Sequence, residues 1–229
     1  MKLPENMIPG RLLRRYKRFF ADVELADGSM VTAHTPNTGS MQQCAVPGHE
    51  VLLSRSDNPK RKLAYTLELI RVDNRWVDTN THRANRVVEE GLRTGTVSGL
   101  AGYSVQPEFR FGDSRIDFML ESKNDKVLLE VKNVTLIDDS GRACFPDAVT
   151  VRGQKHLREL MAGVEQGWRG IMFYLVQRSA ETFAPADHID PEYGKLLRRA
   201  VAAGVEVIAM RTVISPESVQ LERVIDVEL

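Results

Sequence analysis

The chain is 229 residues long, 42% hydrophobic and 27% charged, with 31 Lys plus Arg balanced by 31 Asp plus Glu. That length holds one large domain or two small ones, each with a modest core, and the composition excludes a disordered or fibrous chain. Zero net charge excludes a polycation that binds nucleic acid through bulk charge, so any such partner needs a local basic surface and a separate acidic site.

The chain opens on a basic stretch, MKLPENMIPGRLLRRYKRFF, without the 7–15-residue apolar segment of a signal peptide. No apolar run approaches the ~18 residues of a membrane span. The cytoplasm is the expected location, and no membrane partner is expected. Arg11, Arg14, Arg15, Lys17 and Arg18 form a basic cluster ahead of the first clear strand. They suit phosphate contact, with Tyr16, Phe19 or Phe20 as stacking surfaces for a single strand. They equally suit a solvated strand edge.

Residues 1–79 read as β-rich. Phe19 to Leu25 alternates, Asp27-Gly28 supplies a turn, and Met30 to Ala33 resumes. Glu50 to Ser54, Leu63 to Val72 and Trp76-Val77 follow, each bounded by polar turns. Some five short strands with little helix predict a small barrel of the OB type. His34 with Asn37, Thr38 and Ser40 is either a polar recognition loop or simple turn chemistry. Cys44 and Cys144, 100 residues apart, have no metal-ligand spacing and read as reduced thiols.

Near residue 80 the period changes. Ala84, Val87, Val88, Gly91 and Leu92 recur at helical spacing, predicting a helix over Thr81 to Arg93 with Asn80 or Thr81 as cap and Gly95 as stop. The second domain, residues 80–229, begins here. Three strands follow at Tyr103 to Arg110, Arg115 to Glu121 and Val127 to Val134. Their short, turn-rich links make both pairs antiparallel hairpins. A helix over Val151 to Gln166, a fully apolar strand over Gly170 to Val176, a helix over Lys195 to Ala203 and a strand over Val205 to Arg211 complete an α/β (α+β) domain with an αβββαβ core.

The chemistry concentrates on the three-stranded part. Strand side chains alternate, so Leu128, Glu130 and Lys132 share one face of their strand, and Asp117 lies opposite Ile116 and Phe118. A hairpin centred between Lys123 and Asn124 sets Asp117 opposite Glu130. A turn centred between Gly112 and Asp113 sets Glu108 opposite Asp117. Three carboxylates in one row, about 4.5–5.5 Å apart at Cβ, repel unless a divalent cation sits among them. Hard oxygen ligands suit Mg²⁺ or Mn²⁺. Such an ion polarises a phosphodiester and activates water, and Lys132 would neutralise developing charge. Glu89 or Glu90 of the preceding helix would add one more acid, and geometry leaves the choice open. Arg152, Lys155 and Arg158 crowd the start of the next helix, where anions are favoured; Gln154 would reach the metal site. His156 reads as a hydrogen-bonding residue before a catalytic base.

Long motifs then carry a family resemblance. The runs 111–118, 129–136, 145–150 and 152–157, with 34–41 and 80–85 in the first half, resemble the sugar fermentation stimulation protein A (SfsA) family over nearly the whole chain. The resemblance implies an OB-like N-terminal domain before a PD-(D/E)XK nuclease-like domain, and a DNA-binding protein linked to maltose and other sugar metabolism. It implies that the nuclease motif falls on Asp117, Glu130 and Lys132, the helix acid on Glu90 and the hairpin acid on Glu108. Two functions stay open: a Mg²⁺-dependent nuclease, and a non-cutting DNA-binding regulator built on a nuclease scaffold. Strandedness of the DNA and formation of a homodimer stay open as well.

Overall fold

A computed structural model describes every residue of the chain except Thr38. The chain divides into two compact units, residues 1–83 with 213–220 and residues 84–212 with 221–229.

The first unit holds β1 (Ile8–Tyr16), β2 (Phe20–Leu25), β3 (Met30–His34), β4 (Glu50–Arg55), β5 (Tyr65–Val72) and β6 (Arg75–Asp78). They are ordered β3-β2-β1-β4-β5-β6. A parallel pairing of β3 with β5, at Ala33↔Tyr65 and His34↔Thr66, closes five of them into an OB barrel. Closure removes the free strand edges. The core is Leu12, Ala21, Val23, Ala33, Leu53, Leu67 and Ile70, joined by Met41 and Cys44 from the β3–β4 connection.

β1 is a strand, the alternative the sequence left open for the basic cluster beside phosphate contact. Leu12 anchors it in the core while Arg11 and Arg14 stay exposed. A bulge between Leu12 and Arg14 shifts the register, and the broken alternation hides the strand from a period-of-two reading. β5 and β6 meet at a two-residue turn, Asp73-Asn74, with φ of 50° and 59°; Asp and Asn tolerate that left-handed conformation. Beneath β5 and β6 lies a buried ion triad that no sequence pattern announced. The Arg83 guanidinium donates to Asp78 Oδ1 at 2.7 Å and to Glu68 Oε2, and Ser54 Oγ donates to Glu68 Oε1 at 2.5 Å.

The second unit takes up within α1 (Thr81–Thr94), at Ala84. Asn80 caps this helix by accepting the His82 amide at 3.1 Å, and Gly95 ends it at φ 75°. Then come β7 (Ser104–Phe111), β8 (Ser114–Glu121), β9 (Lys126–Val134), β10 (Leu136–Ile137), β11 (Ala143–Phe145), α2 (Val151–Glu165), β12 (Arg169–Val176), β13 (Thr182–Pro185), α3 (Pro191–Ala202), β14 (Glu206–Ile214), β15 (Val219–Val224) and β16 (Asp226–Val227). The main sheet is ordered β15-β14-β12-β9-β8-β7. It is antiparallel at β7–β8 and β8–β9 and parallel at β9–β12 and β12–β14. The order is the expected αβββαβ, in a mixed α/β domain. A second sheet, β10-β11-β13-β16, was not expected, because strands of two to four residues carry no period. α3 begins at Pro191 rather than Lys195: Asp190 Oδ1 accepts the Tyr193 amide at 3.0 Å, and proline suits the first helical turn.

α2 and α3 cover one face of the main sheet. Leu157 and Leu160 of α2 and Tyr193, Leu196 and Leu197 of α3 pack with Leu128, Met172 and Tyr174 of the sheet. Alternation puts Glu130 and Lys132 on the same face as Leu128, under α2. Among the described residues no helix is long and apolar enough to cross a membrane.

Candidate functional site

The hairpin registers are those the turns dictate. β7 and β8 pair as Pro107↔Phe118 and Phe109↔Ile116, and β8 and β9 as Phe118↔Leu129 through Glu121↔Lys126. The β8–β9 ladder stops at Phe118, and carboxylates take over from backbone beyond it. The Asp117 amide donates to Glu130 Oε2 at 3.2 Å, and the Val131 amide donates to Asp117 Oδ2 at 2.8 Å. Each carboxylate therefore satisfies the other strand's orphaned amide, which brings Asp117 and Glu130 side by side.

Around the pair the partners are specific. Asn85 of α1 donates through Nδ2 to Asp117 Oδ1 at 2.7 Å. Lys132 Nζ donates to Glu130 Oε1 at 2.6 Å. His156 of α2 meets the same Oε1 through Nδ1. Glu130 is 2% exposed and His156 4% exposed. Burial would push the Glu130 carboxyl up, but the Lys132 charge and the His156 hydrogen bond outweigh it and bring it down to about 2. Asp117 goes the other way. Burial, and next the charge of Glu130, push it up to about 6 against the pull of Lys132.

The structure does not gather the whole predicted acid row. Glu108 falls opposite Asp117 by register, but its backbone turns to φ 56° and the β7–β8 ladder passes from Pro107↔Phe118 to Phe109↔Ile116 without pairing it. It is 60% exposed and ion-pairs with exposed Arg115 at 3.6 Å. Glu90 lies exposed on α1, and Glu89 is bound to Arg93 at 2.7 Å. Among the described residues no three His, Cys, Asp or Glu side chains come together as metal ligands.

The basic candidates separate into three kinds. Lys17 and Arg18 are exposed at the tip of the β1–β2 hairpin, beside Phe19, which is 44% exposed. Arg11 and Arg14 are exposed but engaged, Arg11 with the Gly48 carbonyl and Arg14 with Asp22. Arg15 faces inward: its guanidinium donates to the carbonyls of Arg18, Asn37, Gly39 and Ser40. It thus ties down the loop read as either a recognition loop or simple turn chemistry; Thr38 of that loop lies outside the described residues. Tyr16 and Phe20 stack on each other at 5.4 Å, leaving Phe19 as the aromatic turned to solvent. On α2, Lys155 Nζ donates to the Asp113 carbonyl at 2.8 Å, and Gln154 bonds Asp190 at 3.1 Å rather than the carboxylate pair. Arg152 is exposed, with Nε donating to His156 Nε2 at 3.4 Å.

Asn85 was missed as a site residue. Its signal is a polar side chain at the edge of the Ala84–Val88–Leu92 stripe, where a half-buried amide finds a partner.

Fold and site together define a two-domain protein in which a closed OB barrel accompanies a mixed α/β domain holding a buried Asp–Glu–Lys–His cluster. Family models agree: the SfsA N-terminal OB domain matches residues 13–78, and the sugar fermentation stimulation protein RE domain matches residues 82–218. The chain belongs to the sugar fermentation stimulation protein family. It is 65% identical to the homolog from Syntrophotalea carbinolica over 97% of both chains, and 56% identical to that of Geobacter metallireducens over 96% of this chain and 97% of the relative. The structure of Pyrococcus furiosus SfsA in complex with Ca²⁺ matches at TM-score 0.90 and 25% identity, covering 100% of this chain and 98% of that one.

Proposed function

We propose that this protein binds DNA and hydrolyses phosphodiesters at a PD-(D/E)XK-like site formed by Asp117, Glu130 and Lys132, with Mg²⁺ or Mn²⁺ as cofactor. The observation that carries the reading is the pairing of a buried carboxylate, Glu130, with a half-buried one, Asp117, beside a lysine at the point where β8 and β9 part. The donor set fits a hard divalent cation. Asp117 is held up at about 6 by burial and by Glu130, so the pocket is short of positive charge in the way a divalent ion relieves. The Pyrococcus furiosus relative was solved in complex with Ca²⁺, a hard divalent cation, and a divalent-cation site in this chain is in keeping with that.

Asp117 and Glu130 would hold the ion, which supplies Lewis-acid polarisation of the phosphodiester and a more acidic water. The rest falls to the chain. Lys132, bonded to Glu130 and 12% exposed, sits where it can offset negative charge gathering on the phosphoryl oxygens. Asn85 and the Val131 amide fix both oxygens of Asp117. Lys17 and Arg18 on the barrel, and Arg152 on α2, supply exposed cations for the DNA backbone.

The exposure of Glu90 and Glu108 favours a second reading, a DNA-binding regulator of sugar metabolism that keeps the scaffold without cutting. Incubation of labelled single-stranded, duplex and flapped DNA with Mg²⁺ or Mn²⁺ decides between them. Cutting by the natural protein and none by Glu130→Ala is expected. Metal-independent binding with no cutting on any of these substrates would sink the nuclease reading and leave the regulator.

A further inference from the structure

The two oxygens of Glu130 have different neighbours. Oε1 is enclosed by protein, with Lys132 Nζ at 2.6 Å and His156 Nδ1 in contact. Oε2 takes only the Asp117 amide, at 3.2 Å, and so lies on the side of the second carboxylate. A carboxylate has about four lone-pair sites. Those still open on the Asp117 side belong to Oε2.

The ring of His156 is itself oriented. Nδ1 meets Glu130 Oε1 and lies 3.1 Å from Lys132 Nζ, and Arg152 Nε donates to Nε2 at 3.4 Å; with Nε2 accepting from Arg152, a neutral ring carries its proton on Nδ1, facing Glu130. Arg152, His156 and Glu130 thus form a chain of hydrogen bonds from the surface of α2 to the buried carboxylate. His156 is placed for this by its position on the inward face of α2, in step with Gly153, Leu157 and Leu160.

We infer that His156 is a positioning residue: it locks the Glu130 carboxylate so that Oε2 is presented, with Asp117, to a divalent cation. This rests on the reading of Asp117 and Glu130 as cation ligands, and it does not depend on strand scission. Hydrogen-bonding partners of metal-binding carboxylates are typically worth about 10–100-fold in metal affinity. The Arg152 bond, which sets the ring's tautomer, contributes through His156 and not directly.

Calorimetric titration of the full chain with Mn²⁺ tests this, with the melting temperature of each metal-free variant measured beside it. His156→Leu removes the donor, whereas His156→Asn keeps an N–H near the position of Nδ1. The expected result is a loss of about 10-fold or more in Mn²⁺ affinity for His156→Leu, with recovery in His156→Asn. A purely structural role would lower the melting temperature in both variants and would not separate their affinities. Should His156→Leu unfold, the comparison of His156→Asn with His156→Gln stands in its place, because Gln carries its donor at the position of Nε2 and is expected to bind Mn²⁺ more weakly than Asn. Equal Mn²⁺ affinity in the natural protein and the donor-lacking variant overturns the inference alone. A natural protein that binds no Mn²⁺ overturns it together with the proposed cation site.

Discussion

Asp78 and Asp117 both carry carboxyls raised by burial, yet their surroundings assign them different fates. At Asp117 the next contribution after burial is the charge of Glu130, a conflict that a bound cation would resolve. At Asp78 burial is opposed by Arg83, but Arg83 is shared with Glu68, so two buried carboxylates divide one guanidinium. The result for Asp78 is a carboxyl pushed up to about 7. Among the described residues its Oδ2 has no hydrogen-bond partner, so ionisation leaves a buried acceptor uncompensated. In the unfolded chain the same group titrates near about 3.9. Between those values the native state holds the extra proton, so the contribution of Asp78 to stability is complete below about pH 4 and is lost as pH rises through about 7. Urea midpoints measured from pH 4.5 to 7.5 should fall toward neutrality more steeply for the natural protein than for Asp78→Asn, which cannot titrate. Parallel curves for the two would show that Asp78 is ionised throughout.

At the scale of whole elements, α2 must lie close to the sheet for His156 to reach Glu130. Gly163 makes that approach: a Cβ there would stand 2.6 Å from Leu128 Cδ1. Leu128 is fully buried and cannot swing away. Gly163→Val should therefore cost about 1–3 kcal/mol in chemical denaturation as an overpacked contact, and it should weaken Mn²⁺ binding by lifting His156 from Glu130. A neutral effect would mean that the helix–sheet gap adjusts freely. The same elements show what the sequence could reveal. Glu130 and Lys132 sit in an apolar strand whose two-residue period sets their face, and tight turns set the registers that bring Asp117 alongside. Those are local properties. The left-handed backbone at Glu108 is not, and there the β7–β8 ladder lacks the pairing with Asp117 that the register would complete. β1 was hard to read because a bulge and three cations, Arg11, Arg14 and Arg15, obscured a strand anchored by Leu12. His156 sat on a readable apolar stripe, but its partner lies 26 residues earlier on another element, where periodicity carries no information.

For the molecule as a whole, the least readable feature is the return of residues 213–220 to the first unit, where Leu3 donates to the Glu217 carbonyl at 2.8 Å and Lys2 bridges to Ser218. More than 200 residues separate those partners, and no local pattern links them. Bulk charge is equally uninformative: 31 cations balance 31 anions. If the protein binds DNA as proposed, long-range attraction is weak and affinity comes from local clusters of exposed cations. Arg15 is spent on four carbonyls, and Arg14 is held by Asp22 at 2.7 Å. Lys17 and Arg18 remain at the hairpin tip beside exposed Phe19. Each phosphate contact contributes about 0.7 to the slope of log affinity against log salt on a single strand and about 0.9 on a duplex. Replacing both Lys17 and Arg18 with Ala should thus lower that slope by about 1.4 on single-stranded DNA or about 1.8 on duplex, and the size of the change tells which form the hairpin meets. Arg15→Ala should leave the slope where it was and instead lower the melting temperature, because the loop carbonyls at Asn37, Gly39 and Ser40 lose their common donor. Filter binding across a salt series reads all three proteins. An unchanged slope in the double variant would remove the hairpin from the DNA contact and leave the exposed cations of α2 to carry it.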